Sequence, residues 1–361
     1  MLYWLLYPLR DAFGPFRLFG YITFRSAYAA VSAILIVLLF GRPFIAFLKR
    51  QAIGQKIREE VPKRHREKEG TPSMGGIIIL VSILIAAVLF CDVTNPNILI
   101  LIVATIWFGG LGAYDDYIKI YKKRPRGLSI RTKLIFQVLF GLALGIFLYF
   151  CGPEGISTKT NLIFVKNYVI NLGLLYPLFV SLVVVGTSNG VNLTDGLDGL
   201  AIGLIGIAAL AYSGLAYAAG HGIISEYLNI IFLTNGGEVT VFCASILGAS
   251  LGFLWFNAYP AQVFMGDTGA LSLGAILGTA AILIKQELLL VVVGGVFAIE
   301  AFSVLLQIVY FRRTGGKRLF RMAPLHHHYE LMGMHEPKIV VRFWLVGIIL
   351  MMVALSTLKI R

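Results

Sequence analysis

Apolar blocks of about twenty residues recur along most of the chain, and that repetition limits its possible folds more than any other feature. About twenty residues of α-helix cross the ~30 Å hydrocarbon layer of a bilayer. Inside that layer every backbone N–H and C=O must find a partner within the protein, so only helices and closed barrels span it. A barrel would alternate apolar and polar residues in segments of roughly ten, and no such alternation is present. The chain is 58% hydrophobic and only 14% charged, where a soluble domain is about a quarter charged. We read it as an all-α integral membrane protein with about ten spans, near 21–48, 74–91, 98–114, 134–150, 172–186, 197–219, 239–256, 268–284, 288–311 and 339–358. No internal repeat or soluble module interrupts the pattern, so residues 1–361 form one polytopic domain. Met1 to Arg10 lacks the basic start and small-residue cleavage site of a signal peptide, and 223–233, too short to span, is expected to lie at the interface.

The formal charge of +13 is unevenly spread. Eight Lys/Arg lie between Lys49 and Lys68, seven between Lys119 and Lys133, and six between Arg312 and Lys338, together 21 of the 31 in the chain. The alternate loops hold only Lys159 and Lys166. Basic residues concentrate in cytoplasmic loops, so this pattern places the three basic loops in the cytoplasm and, with an even number of spans, both termini on the outer face. It assigns the charge to membrane orientation and leaves nucleic acid without a role. Cys91, Cys151 and Cys243 show no metal-ligand spacing and are expected as unpaired, packed thiols.

With that topology the unusual polar residues all fall in loops on the cytoplasmic side. They are Lys68-Glu-Gly-Thr-Pro-Ser73-Met-Gly-Gly76, Tyr114-Asp115-Asp116-Tyr117-Ile118-Lys119, Asn192-Leu-Thr-Asp195-Gly-Leu-Asp198-Gly199, Asn257 to Gly269 with Phe264-Met-Gly-Asp267, and Ala323-Pro-Leu-His326-His327-His328-Tyr-Glu330. Five loops on one side of one membrane can meet in one cleft, and ionisable groups near bilayer depth mark function by default.

Each motif has a simpler reading beside the chemical one. Asn192 or Thr194 can cap the following helix, with the acids at its positive end; that accounts for one aspartate but less well for two, each followed by glycine. Asp115 and Asp116 close a helix, where the dipole disfavours negative charge, so a lysine or a divalent cation should compensate. Asp267 can be an N-cap. Together the three carboxylates and the Lys-rich loops fit a Mg²⁺–diphosphate site, since Mg²⁺ takes one or two carboxylates and completes its shell with phosphate and water. Three consecutive histidines cannot all face one way on a helix, so at most two act together; contact with phosphate or a lipid headgroup is their preferred role over a plain surface loop. Glu300 and Gln307, seven apart, share a helix face. Structural pairing suits Glu300, and Gln307 lies near enough the cytoplasmic end to reach the cleft.

In this order, the paired aspartates, the Asn192–Gly199 segment, Phe264-Met-Gly-Asp267 and the triple histidine resemble the polyprenyl-phosphate N-acetylhexosamine-1-phosphate transferases. The histidine loop and Thr71-Pro-Ser-Met-Gly-Gly narrow the resemblance to the phospho-N-acetylmuramoyl-pentapeptide transferase family, over essentially the whole chain. Small departures fall at Ser73, Gly190, Thr268 and Ala270, where Thr, Ala, Val and Ser are expected. The resemblance implies a ten-helix homodimeric enzyme of peptidoglycan biosynthesis in the bacterial cytoplasmic (inner) membrane, with a Mg²⁺-dependent active site facing the cytoplasm. It would move phospho-MurNAc-pentapeptide from UDP-MurNAc-pentapeptide to undecaprenyl phosphate, giving lipid I and UMP. Asp115, Asp116 and Asp267 would be the catalytic and metal carboxylates. Lys68, Ser73, Asn192, Asp195, Asp198, Asn257, Phe264 and Gln307 would line the nucleotide and amino-sugar site. Lys119 and Lys133 would hold phosphates, with His326, His327 and His328 facing the same cleft. The alternatives are a sister transferase using UDP-N-acetylglucosamine, against which the histidine loop argues, and a transporter, whose ionisable groups would sit near mid-membrane in paired repeats.

Overall fold

The computed structural model describes residues 2–51, 70–122, 124, 127–153, 155–162 and 169–360. Lys68, one of the expected substrate-binding residues, lies outside them. The elements in chain order are α1 (Leu2–Leu6), α2 (Ile22–Arg50), α3 (Gly76–Phe90), α4 (Pro96–Ile120), α5 (Ile130–Cys151), β1 (Lys159–Asn161), β2 (Val169–Asn171), α6 (Tyr176–Thr194), α7 (Leu200–Ala219), α8 (Gly222–Tyr227), α9 (Gly236–Asn257), α10 (Gly266–Leu283), α11 (Leu290–Val293), α12 (Gly295–Arg313), α13 (Leu325–Leu331) and α14 (Glu336–Ile360). Among the described residues nine helices are long and apolar enough to cross a membrane, and α3, with 15 residues, is a shorter apolar one. Every expected span therefore has its helix.

α10 is the hub. All its residues except Asp267 are buried, and it packs against α4, α6 and α3. Its sequence, GDTGALSLGAILGTAAIL, is rich in the small residues that let helix backbones approach closely where lipid offers no hydrophobic drive. Gly76, at the start of α3, sits so near Gly269 that an added Cβ would overlap the Gly269 backbone. α9 packs against α2 and α7, and α5 against α6. Polar side chains join α5, α6 and α10. Gln137 of α5 donates to Ser188 of α6 at 3.3 Å, and Ser188 donates to Leu271 O of α10 at 2.9 Å. Large apolar side chains such as Leu39, Val103, Ile135, Leu182 and Ile349 stay exposed on the outside of the bundle, as lipid-facing positions require.

Several readings are corrected. α6 continues to Thr194, so Asn192 and Thr194 lie in its last turn rather than capping α7, whose N-cap is Gly199 at φ +79°; Thr194 Oγ1 donates back to Gly190 O at 2.8 Å. α4 continues to Ile120, so Asp115 and Asp116 stand a turn inside it. The ninth span is broken at Gly294 into α11 and α12. The segment after α5, read as loop, contains a two-stranded antiparallel hairpin with Thr160 opposite Ile170. α8 falls in the short stretch expected at the interface. All three cysteines are free; Cys91 and Cys243 are buried as expected, and Cys151 is exposed instead.

Candidate active site

Asp115 and Asp116 are buried near the C-terminal end of α4, where the helix dipole works against them. Two lysines compensate. Lys119, one turn further along α4, lies 2.6 Å from Asp115 Oδ2, and Lys133, in the first turn of α5, lies 2.9 Å from the same oxygen. Asp115 Oδ1 accepts from Leu128 N at 2.6 Å. Asp267 enters from the first turn of α10, with Oδ1 2.9 Å from Lys119 and Oδ2 2.5 Å from Lys133. One oxygen from each of Asp115, Asp116 and Asp267 lies within 4.8 Å of the others.

Asp116 is used differently from its neighbour. Its carboxylate accepts from Asp267 N at 3.2 Å, Thr268 N at 3.0 Å and Thr268 Oγ1 at 2.7 Å. These donors belong to the first turn of α10, whose N–H groups have no partner within their own helix. The simpler reading of Asp267 as an N-cap does not hold: Met265 holds that position without a side-chain bond, and Asp116 caps α10 from a neighbouring helix. Gly266 permits this. Its φ is +73°, and a Cβ there would fall 2.7 Å from Asp116 Oδ2 and 3.0 Å from the Oγ of buried Ser73.

Backbone bonds from Gly75 N to Phe264 O and from Gly76 N to Met265 O, both 2.8 Å, align the segment before α3 with the segment before α10. The turn between α6 and α7 is tied down in turn. Ala261 N donates to Asp198 Oδ2 at 3.0 Å, and Gly199 N donates to Asn257 Oδ1 at 3.1 Å. Asn257 Nδ2 donates to Val263 O at 2.8 Å. Asp198 and Asn257, expected on the substrate, thus also hold the two site loops together. Glu336, which the sequence reading missed, completes the tie: its Oε1 accepts from Asp198 N at 2.7 Å. Asp195 takes no such hydrogen bond among the described residues. Withdrawal from water first, and then the charges of Asp267, Asp116 and Asp198, push its carboxyl up to about 7, against the pull of Lys119. Asn192 and Phe264 are half-buried beside these loops.

The histidine helix is capped in the same borrowed fashion. Buried Glu300 of α12 accepts from Leu325 N at 2.7 Å and His326 N at 3.1 Å. The His326 ring is buried, with Nδ1 3.4 Å from Glu300, and it fills the space a side chain at Gly196 would need. Burial lowers its pKa, Glu300 opposing. His327 Nδ1 lies 3.2 Å from Glu330, and His328 Nδ1 accepts from Arg321 N at 3.1 Å. The three rings therefore have three different surroundings, as helix geometry demands. Gln307 accepts from Leu319 N at 3.1 Å and Phe320 N at 2.9 Å, bonds that order the basic loop before α13.

The structure thus brings Asp115, Asp116, Asp267, Lys119 and Lys133 into direct contact. Ser73, Asp195 and Asp198 lie in the segments knit around them, Asn257 ends α9 beside these, and His326 packs from α13 against Gly196. The chain also resembles known proteins over its whole length. The family model described as glycosyl transferase family 4 matches residues 98–285, and the signature described as phospho-N-acetylmuramoyl-pentapeptide-transferase signature 1 matches residues 68–80. The chain is 52% identical to the phospho-N-acetylmuramoyl-pentapeptide-transferase of Desulforapulum autotrophicum, 50% to that of Desulfotalea psychrophila and 47% to that of Thermodesulfovibrio yellowstonii, in each case across 100% of both chains. With identity at that level over its whole length, the chain belongs to the phospho-N-acetylmuramoyl-pentapeptide-transferase family.

Proposed function

We propose that the protein transfers phospho-MurNAc-pentapeptide from UDP-MurNAc-pentapeptide to undecaprenyl phosphate, releasing UMP and leaving lipid I in the membrane. The observation that carries the site assignment is a charge mismatch: among the described residues, three clustered carboxylates face two lysines. The donor set fits a divalent cation. Asp267 and Asp115 would hold Mg²⁺, because their clustered oxygens rest chiefly on exchangeable lysine ammonium groups, whereas Asp116 is committed to α10. When bound, the ion supplies positive charge to the diphosphate and to the departing UMP.

The remaining work falls to the chain's own residues. Lys119 and Lys133 turn from the carboxylates to the phosphate oxygens and neutralise two anionic substrates brought together. Asp115 orients the lipid phosphate, or takes its proton, for direct attack on the β-phosphorus of the nucleotide sugar; the phosphoanhydride to UMP breaks as the new one forms, so the reaction is nearly thermoneutral. Asn192, Asp195 and Phe264 border the nucleotide and amino sugar, Asp198, Asn257 and Gln307 hold the loops that do so, and His327 faces the same cleft. The rigid anchoring of Asp116 speaks for one step over a covalent aspartyl phosphate. The positive-inside charge pattern supports a cytoplasmic cleft, where a water-soluble nucleotide and a membrane-bound acceptor can meet. The homodimer rests on the family resemblance, and light scattering of the detergent-solubilised protein tests it.

The deciding experiment is UMP release by purified protein with both substrates, with Mg²⁺ or EDTA, beside Asp267→Asn. Lipid-dependent release that EDTA and the substitution abolish is expected. Turnover with UDP-N-acetylglucosamine in place of the muramoyl donor would overturn the substrate assignment. A stoichiometric burst of UMP without acceptor would overturn the one-step mechanism.

A further inference from the structure

A groove of about 190 Å³ lies between α13 and the start of α14, lined by Tyr329, Met334, Ile339, Arg342, Phe343 and Val346. The four α14 residues recur at three- and four-residue intervals and so share a face. Tyr329 closes one side with its ring edge-on to Phe343, centroids 6.1 Å apart. The one charge in this apolar lining is the Arg342 guanidinium. It reaches the Met334 sulfur at 3.3 Å, a weak acceptor, and no carboxylate pairs with it among the described residues.

The position of the groove along α14 gives that charge its meaning. The helix has 25 residues, about 37 Å at 1.5 Å per residue, against a hydrocarbon layer of ~30 Å. Glu336, Lys338 and Arg342 all fall in its first two turns and 343–358 carries no charge, so those two turns stand at headgroup level. Arg342 ends that stretch, where a guanidinium extends to the polar boundary while its stem lies on apolar surface. Lys338, exposed one turn earlier, is on the same side of the helix. Val346 lies one turn deeper. Cations at headgroup depth above an apolar slot reproduce, in reverse charge, the polarity of an anionic phospholipid.

We propose that this groove binds one anionic diacyl phospholipid of the surrounding membrane, its phosphate on Arg342 and one acyl chain along Phe343 and Val346. The lipid would rest against the helix that carries the three histidines. The site is separate from the acidic cluster, and the proposal does not rest on the reaction assigned above.

Native mass spectrometry of the delipidated full-length protein tests it, with phosphatidylglycerol, phosphatidylcholine and undecaprenyl phosphate offered in turn. Arg342→Gln should weaken retention of phosphatidylglycerol about fivefold, the effect of one basic residue at an anionic surface, and leave phosphatidylcholine unchanged. Val346→Trp keeps the charge but fills the slot, and should weaken phosphatidylglycerol as well; it remains decisive if Arg342→Gln does not fold. Equal phosphatidylglycerol binding in all three proteins would overturn the proposal. So would loss confined to undecaprenyl phosphate, which would make the groove part of the acceptor site, or equal losses for both phospholipids, which would leave Arg342 no role in headgroup choice.

Discussion

The two ends of α10 each bury lysine near carboxylate, and they balance the charge in opposite ways. Beyond the C-terminal end, Lys285 donates to Ser157 O and to the Tyr176 hydroxyl, both at 2.6 Å. Glu287 accepts from Thr160 Oγ1 at 2.8 Å and from Tyr176 at 3.3 Å. One cation accompanies one anion, and the partners are hydroxyls and backbone on fixed elements. Burial still pulls Lys285 down to about 8 and pushes Glu287 up, so the cluster costs something to form, and its return is a hairpin fastened over the bundle. At the N-terminal end, among the described residues, three carboxylates face two lysines, and the lysines sit on flexible stems that can be exchanged for another cation. Buried charges are tolerated only when paired. The balanced end is a latch, and the unbalanced end has room for a ligand.

The sharpest way to break this comparison is to neutralise one carboxylate at each end. Asp267→Asn should lower UMP release about a thousandfold, the scale of losing preorganised charge at a phosphoryl-transfer site, while Glu287→Gln stays near the parent rate. Equal losses would mean that the far cluster also governs the chemistry. Lys133→Met should next produce two effects of opposite sign. Removing a competing cation should tighten Mn²⁺ binding about tenfold, or roughly 1.4 kcal/mol, as read by electron paramagnetic resonance of the bound ion. Transfer should fall about a hundredfold because a phosphate contact is gone. Weaker Mn²⁺ binding would show that Lys133 supports the carboxylates rather than holding the place of a cation.

Glu336 offers a smaller and more discriminating test. Its bond to Asp198 N ties α14 to the turn that carries Asp195 and Gly196. Glu336→Ala should raise KM for the nucleotide substrate about tenfold, the worth of a hydrogen bond to a charged group, with kcat little changed. Glu336→Gln keeps an acceptor oxygen and should restore most of the loss. An equal fall in kcat for both variants would place the charge itself, rather than the bond, in the reaction.

These residues also show what a sequence reading reaches. The spans were legible because apolar length is a local property, and the cleft was legible because ionisable residues between such spans are rare. Roles inside the cleft depend on neighbours distant in sequence. Nothing near Asp116 reveals that its partners are Asp267 N and Thr268, more than a hundred residues away, or that Gln307 orders the loop before α13. Glu336 carries only the signal of an acid at a helix start, a common feature with several explanations. The break at Gly294 was hidden because an apolar run continues through it.

The last comparison concerns the latch alone. Thr160→Val is nearly isosteric and removes the hydroxyl that Glu287 Oε2 accepts from at 2.8 Å, leaving a buried carboxylate oxygen one partner short. That should cost about 1–3 kcal/mol. The cost should fall on the hairpin, because Thr160 pairs with Ile170 across the two strands while α10 itself stays packed on α4 and α6. Hydrogen exchange should therefore quicken at the amides of Thr160 and of Leu172, which donates to Thr158 O. Exchange along α10 and the rate of UMP release should stay as they were. Faster exchange reaching the first turn of α10 would contradict the separation of the two ends, since a disturbance at the latch would then travel the length of the helix to the carboxylates.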